Sequence, residues 1–392
     1  MIELKNYIKK IDYEYLYLIT YLVSFSMVLF FRTSQYGMIL TSASSKVSYA
    51  YLLYTVFTCI GVFINIVLSI VFNKNNKKML MLNIVLILLA CIPNIFNAYI
   101  ISIPFLLFYL MLNNAQNINH IEFIKYDFWM RIVMFIVIVG MYFLHLYPQN
   151  TFVNVIGRGE GRNILRYSFG FIHPNDLALF VLSIMVSFVI AYTSKAVNLK
   201  GIISFIFLYL ITFKITDSKT FELSGLILIL GMIFYRFKNS KKIINNLVIP
   251  IITFSVFIGC IQLYAPYLGD KLFNFFNEIF SNRVVIGEQA LRYYPINITG
   301  YPSTPLLDIH GSNIDDMYTA YMLRFGIIGF LILQGYIYYC GLLSKRINDY
   351  WSDFAMIIIT LSIVTINSNL LFSPMIYIVA KYYRNGRNKK EK

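Results

Sequence analysis

Charge is what this chain lacks most. Only 13% of its 392 residues are Asp, Glu, Lys or Arg, against about a quarter in an ordinary soluble domain. With a mean hydropathy of +0.67, that scarcity excludes a water-soluble globular fold and points to a polytopic membrane protein. The period-two alternation over about ten residues that a spanning β-barrel requires is missing as well. Helices remain, because in hydrocarbon each backbone N–H and C=O has to be satisfied within its own segment. Cysteine is sparse too. Cys59, Cys91, Cys260 and Cys340 fall far apart in apolar runs without ligand spacing, so they read as small core hydrophobes, not as disulfides or a metal site. No internal repeat, low-complexity tract or soluble domain is visible, and residues 1–392 read as a single transmembrane domain.

The start, MIELKNYIKK followed by the apolar Tyr15 to Phe31, has the outline of a signal peptide. Its apolar part is long and no convincing small-residue cleavage site follows, so it reads as an uncleaved first span. The net charge of +15 is distributed by topology. About 21 of the 33 basic residues fall in 1–12, 73–78, 113–127, 194–200, 236–242, 344–353 and the tail from Lys381. Every second loop is therefore basic, which places those loops and both termini in the cytoplasm by the positive-inside rule and removes the case for nucleic acid as a partner. The spans expected are 14–31, 47–72, 79–92, 98–112, 128–147, 172–193, 201–216, 219–237, 244–264, 318–343, 354–367 and 369–381. This is an all-α polytopic integral membrane protein of about 12 transmembrane helices. Residues 79–112 and 354–381 can each be two short helices or one broken at Pro93 and Asn97, or at Asn367 and Asn369.

Polar residues fit for chemistry then concentrate in three places on the extracytoplasmic side: a first long loop (148–171), a short turn TDSKT (Thr216 to Thr220), and a larger loop (265–317). In the first, Arg158, Arg162 and Arg166 recur every four residues and would line one face if that segment is helical. Three guanidiniums suit a diphosphate or other polyanion, since each offers planar forked donors and a permanent charge; a solvated loop touching lipid headgroups is the plainer explanation. The loop feeds the stretch YSFGFIHPND. There Pro174 fits a first helical turn, His173 lies near the cap, and Asn175 and Asp176 lie in the opening turn, where an acid also simply complements the helix dipole. Asp217 and Lys219 face each other across one turn and can neutralise one another. In the larger loop, Arg283 opens an amphipathic helical run that ends at a Pro- and Gly-rich turn. His310, Asp315 and Asp316 stand just outside the next span, where an imidazole or carboxylate could deprotonate a hydroxyl or serve as a cap. Tyr318 follows, and Arg324, about two turns into the span, needs an anionic partner unless it snorkels.

The order of these features resembles the bacterial polysaccharide repeat-unit polymerases, the Wzy type, within the O-antigen ligase and polymerase superfamily. The resemblance rests on the arginine-bearing loop running into FGFIHPND, the TDSKT turn where that family commonly has Ser-Arg, NRVVIGEQALRYYPINITGYP, and IDDMYTAYMLRFGIIGF, over roughly residues 150–345. It implies a GT-C-like glycosyltransferase architecture in the bacterial plasma membrane. It further implies a metal-independent, cofactor-free transfer of the growing glycan from undecaprenyl diphosphate to the terminal sugar of a new lipid-linked repeat unit, in capsule, O-antigen or exopolysaccharide synthesis. Arg158, Arg162, Arg166, Arg283 and Lys219 would hold the diphosphate. Asp315, His310 or His173 would be the base, Asp315 falling where ligases of the superfamily carry a histidine. Asn175, Asp176, Asp217, Asp316, Tyr318 and Arg324 would contact the acceptor or hold structure. Partners would be the lipid-linked oligosaccharide, a chain-length regulator and a flippase. A flippase or other transporter of lipid-linked sugars, a cell-wall glycosyltransferase and a ligase are the rival readings.

Overall fold

A computed structural model describes residues 13–36, 49–72, 77–91, 100–147, 154–158, 162–264, 267, 269–279, 283–301, 317–363 and 373–388. Its helices are α1 (Tyr13–Thr33), α2 (Tyr49–Phe72), α3 (Lys77–Cys91), α4 (Ile103–Asn114), α5 (His120–Phe143), α6 (Pro174–Ala191), α7 (Leu199–Thr216), α8 (Lys219–Phe234), α9 (Ser240–Tyr264), α10 (Asp270–Ile279), α11 (Arg283–Tyr293), α12 (Met317–Ile347), α13 (Tyr350–Ile363) and α14 (Ser373–Asn388). One antiparallel hairpin, β1 (Asn154–Arg158) with β2 (Arg162–Arg166), interrupts them. Among the described residues, six helices are at least 18 residues long and apolar enough to cross a membrane: α1, α2, α6, α7, α9 and α12. Large apolar side chains such as Phe63, Met81 and Phe207 stand exposed on the bundle's outside, a surface that only hydrocarbon solvates well. The chain is an all-α polytopic membrane protein.

Helix boundaries follow local chemistry. Asn119, Asn198 and Ser218 cap α5, α7 and α8 by accepting a backbone N–H from Ile121, Gly201 and Phe221, satisfying donors that a helix start leaves open. The helix α7 ends on Asp217 in the left-handed conformation, its N–H returning to Phe213 O at 2.7 Å.

Long-range bonds sort the helix ends. Tyr13 OH donates to Asn114 O at 2.6 Å, Asn114 Nδ2 to Asn65 O at 2.9 Å, and Asn119 N to Glu14 Oε1 at 2.7 Å. Arg236 Nη2 donates to Val197 O at 2.5 Å, Asn245 Nδ2 to Lys345 O at 3.0 Å, and Lys381 Nζ lies 2.8 Å from Asp349 Oδ2. These contacts gather the basic turns at one end of the bundle. The hairpin, the Thr216–Thr220 turn and α10 with α11 gather at the other. Between the ends, amide and hydroxyl groups tie the helices together. Asn113 Nδ2 donates to Asn83 Oδ1 at 2.6 Å and Tyr336 OH to Asn113 Oδ1 at 3.1 Å, the kind of interhelical bond that hydrocarbon surroundings favour.

Three expectations need correction. The arginine segment is a β-hairpin: Arg158 pairs with Arg162 and Asn154 with Arg166. A spacing of four is even, so it keeps one face of a strand as well as of a helix, and the three arginines still hold register positions of one face. The helix α5 begins at His120, eight residues before the expected span, which carries Asp127 into the bundle. Of the four cysteines, Cys340 is buried whereas Cys59 and Cys91 are exposed on the outer surface. The breaks expected at Pro93, Asn97, Asn367 and Asn369 lie outside the described residues.

Candidate functional site

The stretch YSFGFIHPND forms a mouth at the start of α6. Its backbone is pinned to the end of α1: Gln35 N donates to Gly170 O at 2.8 Å and Ile172 N to Thr33 O at 2.9 Å. Gly170 has φ +86, and a Cβ there would come 2.7 Å from Ile138 O, so the turn requires glycine twice over. The next residues start α6, with His173 as N-cap and Pro174 at the first helical position.

Arg166, at the end of β2, is only 4% exposed. Its Nε donates to Thr216 O at 2.5 Å and its Nη2 to Asn175 Oδ1 at 2.6 Å, while Tyr167 N donates to Ile215 O at 3.1 Å. One guanidinium therefore ties together the hairpin, the end of α7 and the first turn of α6. Asp217 and Lys219 lie on the same turn, Lys219 exposed as the first residue of α8. The structure thus joins Arg166, His173 and Asn175 to the turn that carries Asp217 and Lys219, from segments that the chain separates by up to about 50 residues.

His173 Nδ1 accepts the Asn175 N–H at 3.1 Å. Burial lowers its pKa to about 4, and the neighbouring Arg166 charge adds to that. A neutral imidazole that accepts at Nδ1 carries its proton on Nε2. His173 therefore presents a hydrogen-bond donor, which suits holding an anion and does not suit taking a proton.

The remaining residues sit elsewhere. Arg283 opens α11, which packs on α9 and α10. Tyr318 is buried, its hydroxyl 2.7 Å from Ser255 Oγ, and holds α12 to α9. Asp176 lies in the first turn of α6. Arg324 precedes a break in α12 and, with Arg32 of α1, lies within electrostatic reach of Tyr321. His310, Asp315 and Asp316 lie outside the described residues.

That break has no signature in the sequence beyond a glycine. Gly326 has φ 65 and ψ −171 inside α12, nine residues along, roughly 14 Å by helical rise. The freed groups are taken by a chain segment lying against it: Ile327 N donates to Asn297 O at 3.0 Å, Ile328 N to Ile298 O at 3.2 Å, and Tyr301 N to Leu323 O at 3.1 Å. A Cβ on Gly300 would run into Arg324 O, and one on Gly326 into Gly300 N. The two glycines let backbone pack on backbone, which joins the larger loop to the start of α12.

A second polar cluster escaped the sequence reading. Within α5, Arg131 Nε lies 2.9 Å and 3.0 Å from the two Asp127 oxygens. Ser187 Oγ donates to Asp127 Oδ2 at 2.5 Å, and Arg131 Nη1 to Ser183 Oγ at 2.9 Å. Tyr21 of α1 donates to Asp127 Oδ1, and Arg131 Nη2 to Ser373 Oγ of α14. Tyr21 opens a π-helical turn, Tyr21–Phe25, in α1. Four helices are fastened by one ion pair and its hydroxyls. The signal was an acid and a base four residues apart beside an apolar run.

No protein-family model, no curated protein and no solved structure matches this chain.

Proposed function

We propose that this protein is a polysaccharide repeat-unit polymerase of the Wzy type, transferring a glycan from undecaprenyl diphosphate to the terminal sugar of a second lipid-linked repeat unit. The observation that carries the reading is the mouth around Arg166. A buried guanidinium and a neutral histidine whose Nε2 donates, with a lysine on the adjoining turn, lie at the end of the bundle opposite the basic turns. By the positive-inside rule that end faces out of the cytoplasm, where lipid-linked units are polymerised. The reaction forms a glycosidic bond to the acceptor hydroxyl and breaks the bond from the anomeric carbon to the diphosphate oxygen. The acceptor's proton passes to a base, and undecaprenyl diphosphate leaves. Charge grows on that leaving group in the transition state, so preorganised cations and donors lower the barrier. Arg166, assisted by His173 Nε2, Lys219 and the other loop arginines, fills this role. His173 being a donor, the base falls to Asp315 or His310.

The test is the chain-length profile in cells. Arg166→Ala and Arg283→Ala strains should accumulate single lipid-linked repeat units and lose long polymer. Normal ladders from both would sink the diphosphate assignment. Among the base candidates, Asp315→Asn should cost more than His310→Gln.

One observation favours a second reading, a transporter of lipid-linked sugars: the broken helix at Gly326, since transporters place substrate at discontinuous helices. Purified protein separates the two. A polymerase elongates lipid-linked repeat units in detergent, without a membrane to cross; a transporter leaves them unchanged.

A further inference from the structure

The charges at the basic end are unevenly satisfied. Lys381 is paired with Asp349 at 2.8 Å and donates to Tyr377 OH at 2.9 Å, and Arg236 is fixed on Val197 O. Lys125 and Lys195 have no carboxylate partner among the described residues. These two lysines line one cavity of about 760 Å³. It lies between the start of α5, the end of α6, the following helical turn Thr193–Ala196, Tyr235 at the end of α8 and Tyr377 in the second turn of α14. The volume is that of a small-molecule site.

The lining has two kinds of surface. Lys125, Lys195 and the Ser194 hydroxyl are polar, and the Lys195 ammonium is steadied 5.5 Å from the Tyr192 ring centroid, a cation–π distance. Ile121 and Ile190 are apolar, and Ile121 belongs to the exposed apolar face that α5 continues through Val133 and Ile136. A free anion has use for the ammoniums and none for the isoleucines. An amphiphile with an anionic head uses both, and a basic pocket between helices at this depth suits a lipid headgroup. We propose that this cavity binds the phosphodiester headgroup of an anionic membrane lipid between Lys125 and Lys195, with the first methylenes of its chains on Ile121 and Ile190. The site stands at the far end of the bundle from the Arg166 mouth and does not depend on the function assigned there. Its walls come from α5, α6 and α14, the helices that also meet at Asp127 and Arg131. Occupancy therefore stabilises the bundle.

Purified full-length protein is tested by thermal unfolding in detergent with added phosphatidylglycerol or phosphatidylcholine. Phosphatidylglycerol should raise the midpoint by roughly 2–4 °C, the size of shift expected for moderate ligand excess on a chain of a few hundred residues, and phosphatidylcholine should not. The double variant Lys125→Gln/Lys195→Gln should lose the shift. Lys200→Gln/Lys238→Gln, at the same end but outside the cavity, should keep it. Equal loss in both double variants would overturn the site, as would an equal shift from phosphatidylcholine or from soluble glycerol phosphate. So would a Lys195→Gln protein that is destabilised to the same extent with and without lipid, since the lysine would then serve only the negative end of α6. Should the double variant fail to fold, photoactivatable phosphatidylglycerol on the wild-type protein decides: labelling within 121–125 and 190–197 supports the site, and labelling confined elsewhere refutes it.

Discussion

Among the described residues, two arginines are almost completely buried, Arg131 at 1% and Arg166 at 4% exposure, and their surroundings differ in kind. Arg131 sits along a helix, bound to a carboxylate four residues earlier and to serines from two other helices. Arg166 sits at a mouth made of a hairpin end, a helix end and a cap, held by a carbonyl and an amide oxygen. A charge embedded among helices with a matched counter-ion fastens elements together. A charge that loops and caps aim at the end of a bundle is placed for a visitor. The comparison teaches that burial alone does not mark function in a membrane protein; the elements that present the group do.

The comparison breaks most severely at Asp127. Asp127→Ala leaves Arg131 buried without its carboxylate, which should cost about 3–5 kcal/mol, read as loss of folded protein in unfolding scans. Replacing both residues with apolar side chains should recover much of that loss; a double variant as unstable as the single would contradict the pairing. Next comes Arg166. Arg166→Ala should lower polymer formation about 10²–10³-fold, the usual effect of removing one preorganised transition-state donor. Arg166→Lys should fall between, since an ammonium cannot span Thr216 and Asn175 as the fork does. Gly326→Ala tests the backbone counterpart. At φ 65 and ψ −171 the backbone lies in a region essentially reserved for glycine, which alone costs a side chain about 1–3 kcal/mol, and the clash with Gly300 should release the larger loop from α12, seen as faster proteolysis between α11 and α12. The smallest effect is expected at His173. Its folded pKa of about 4 lies below the ordinary 6.5, so the unfolded chain binds the proton first. The stability His173 contributes is then present above about pH 6.5 and is lost as pH falls toward 4. His173→Gln should flatten the unfolding midpoint over that window, and an unchanged slope would remove the histidine from the mouth.

How much of this was legible beforehand depended on whether the cause was local. The alternation of basic turns and apolar runs put helices close to their observed places, and His-Pro-Asn-Asp announced a cap and a first turn because capping is a matter of a few adjacent residues. The arginine spacing could not choose between strand and helix, since four is even and also near one helical turn; pairing with residues 154–158 decides it. Asp127 falls at the edge of the basic loop 113–127 in the sequence, whereas the groups that hold it and Arg131 come from three other helices: Tyr21 and Ser187 bind Asp127, and Ser183 and Ser373 bind Arg131. Gly326 looked like one more glycine in a span until Asn297 to Tyr301 was seen to supply the missing bonds.

The central claim, which rests on the proposed function, is that Arg131 serves the fold alone, whereas Arg166 both ties the mouth together and serves the reaction. The most direct measurement takes one purified preparation of Arg166→Ala, determines its unfolding midpoint, and assays its elongation of polyprenyl-diphosphate-linked repeat units. The account expects a midpoint within a few degrees of wild type and elongation lowered about 10²–10³-fold. Wild-type elongation by a normally folded Arg166→Ala protein would contradict it.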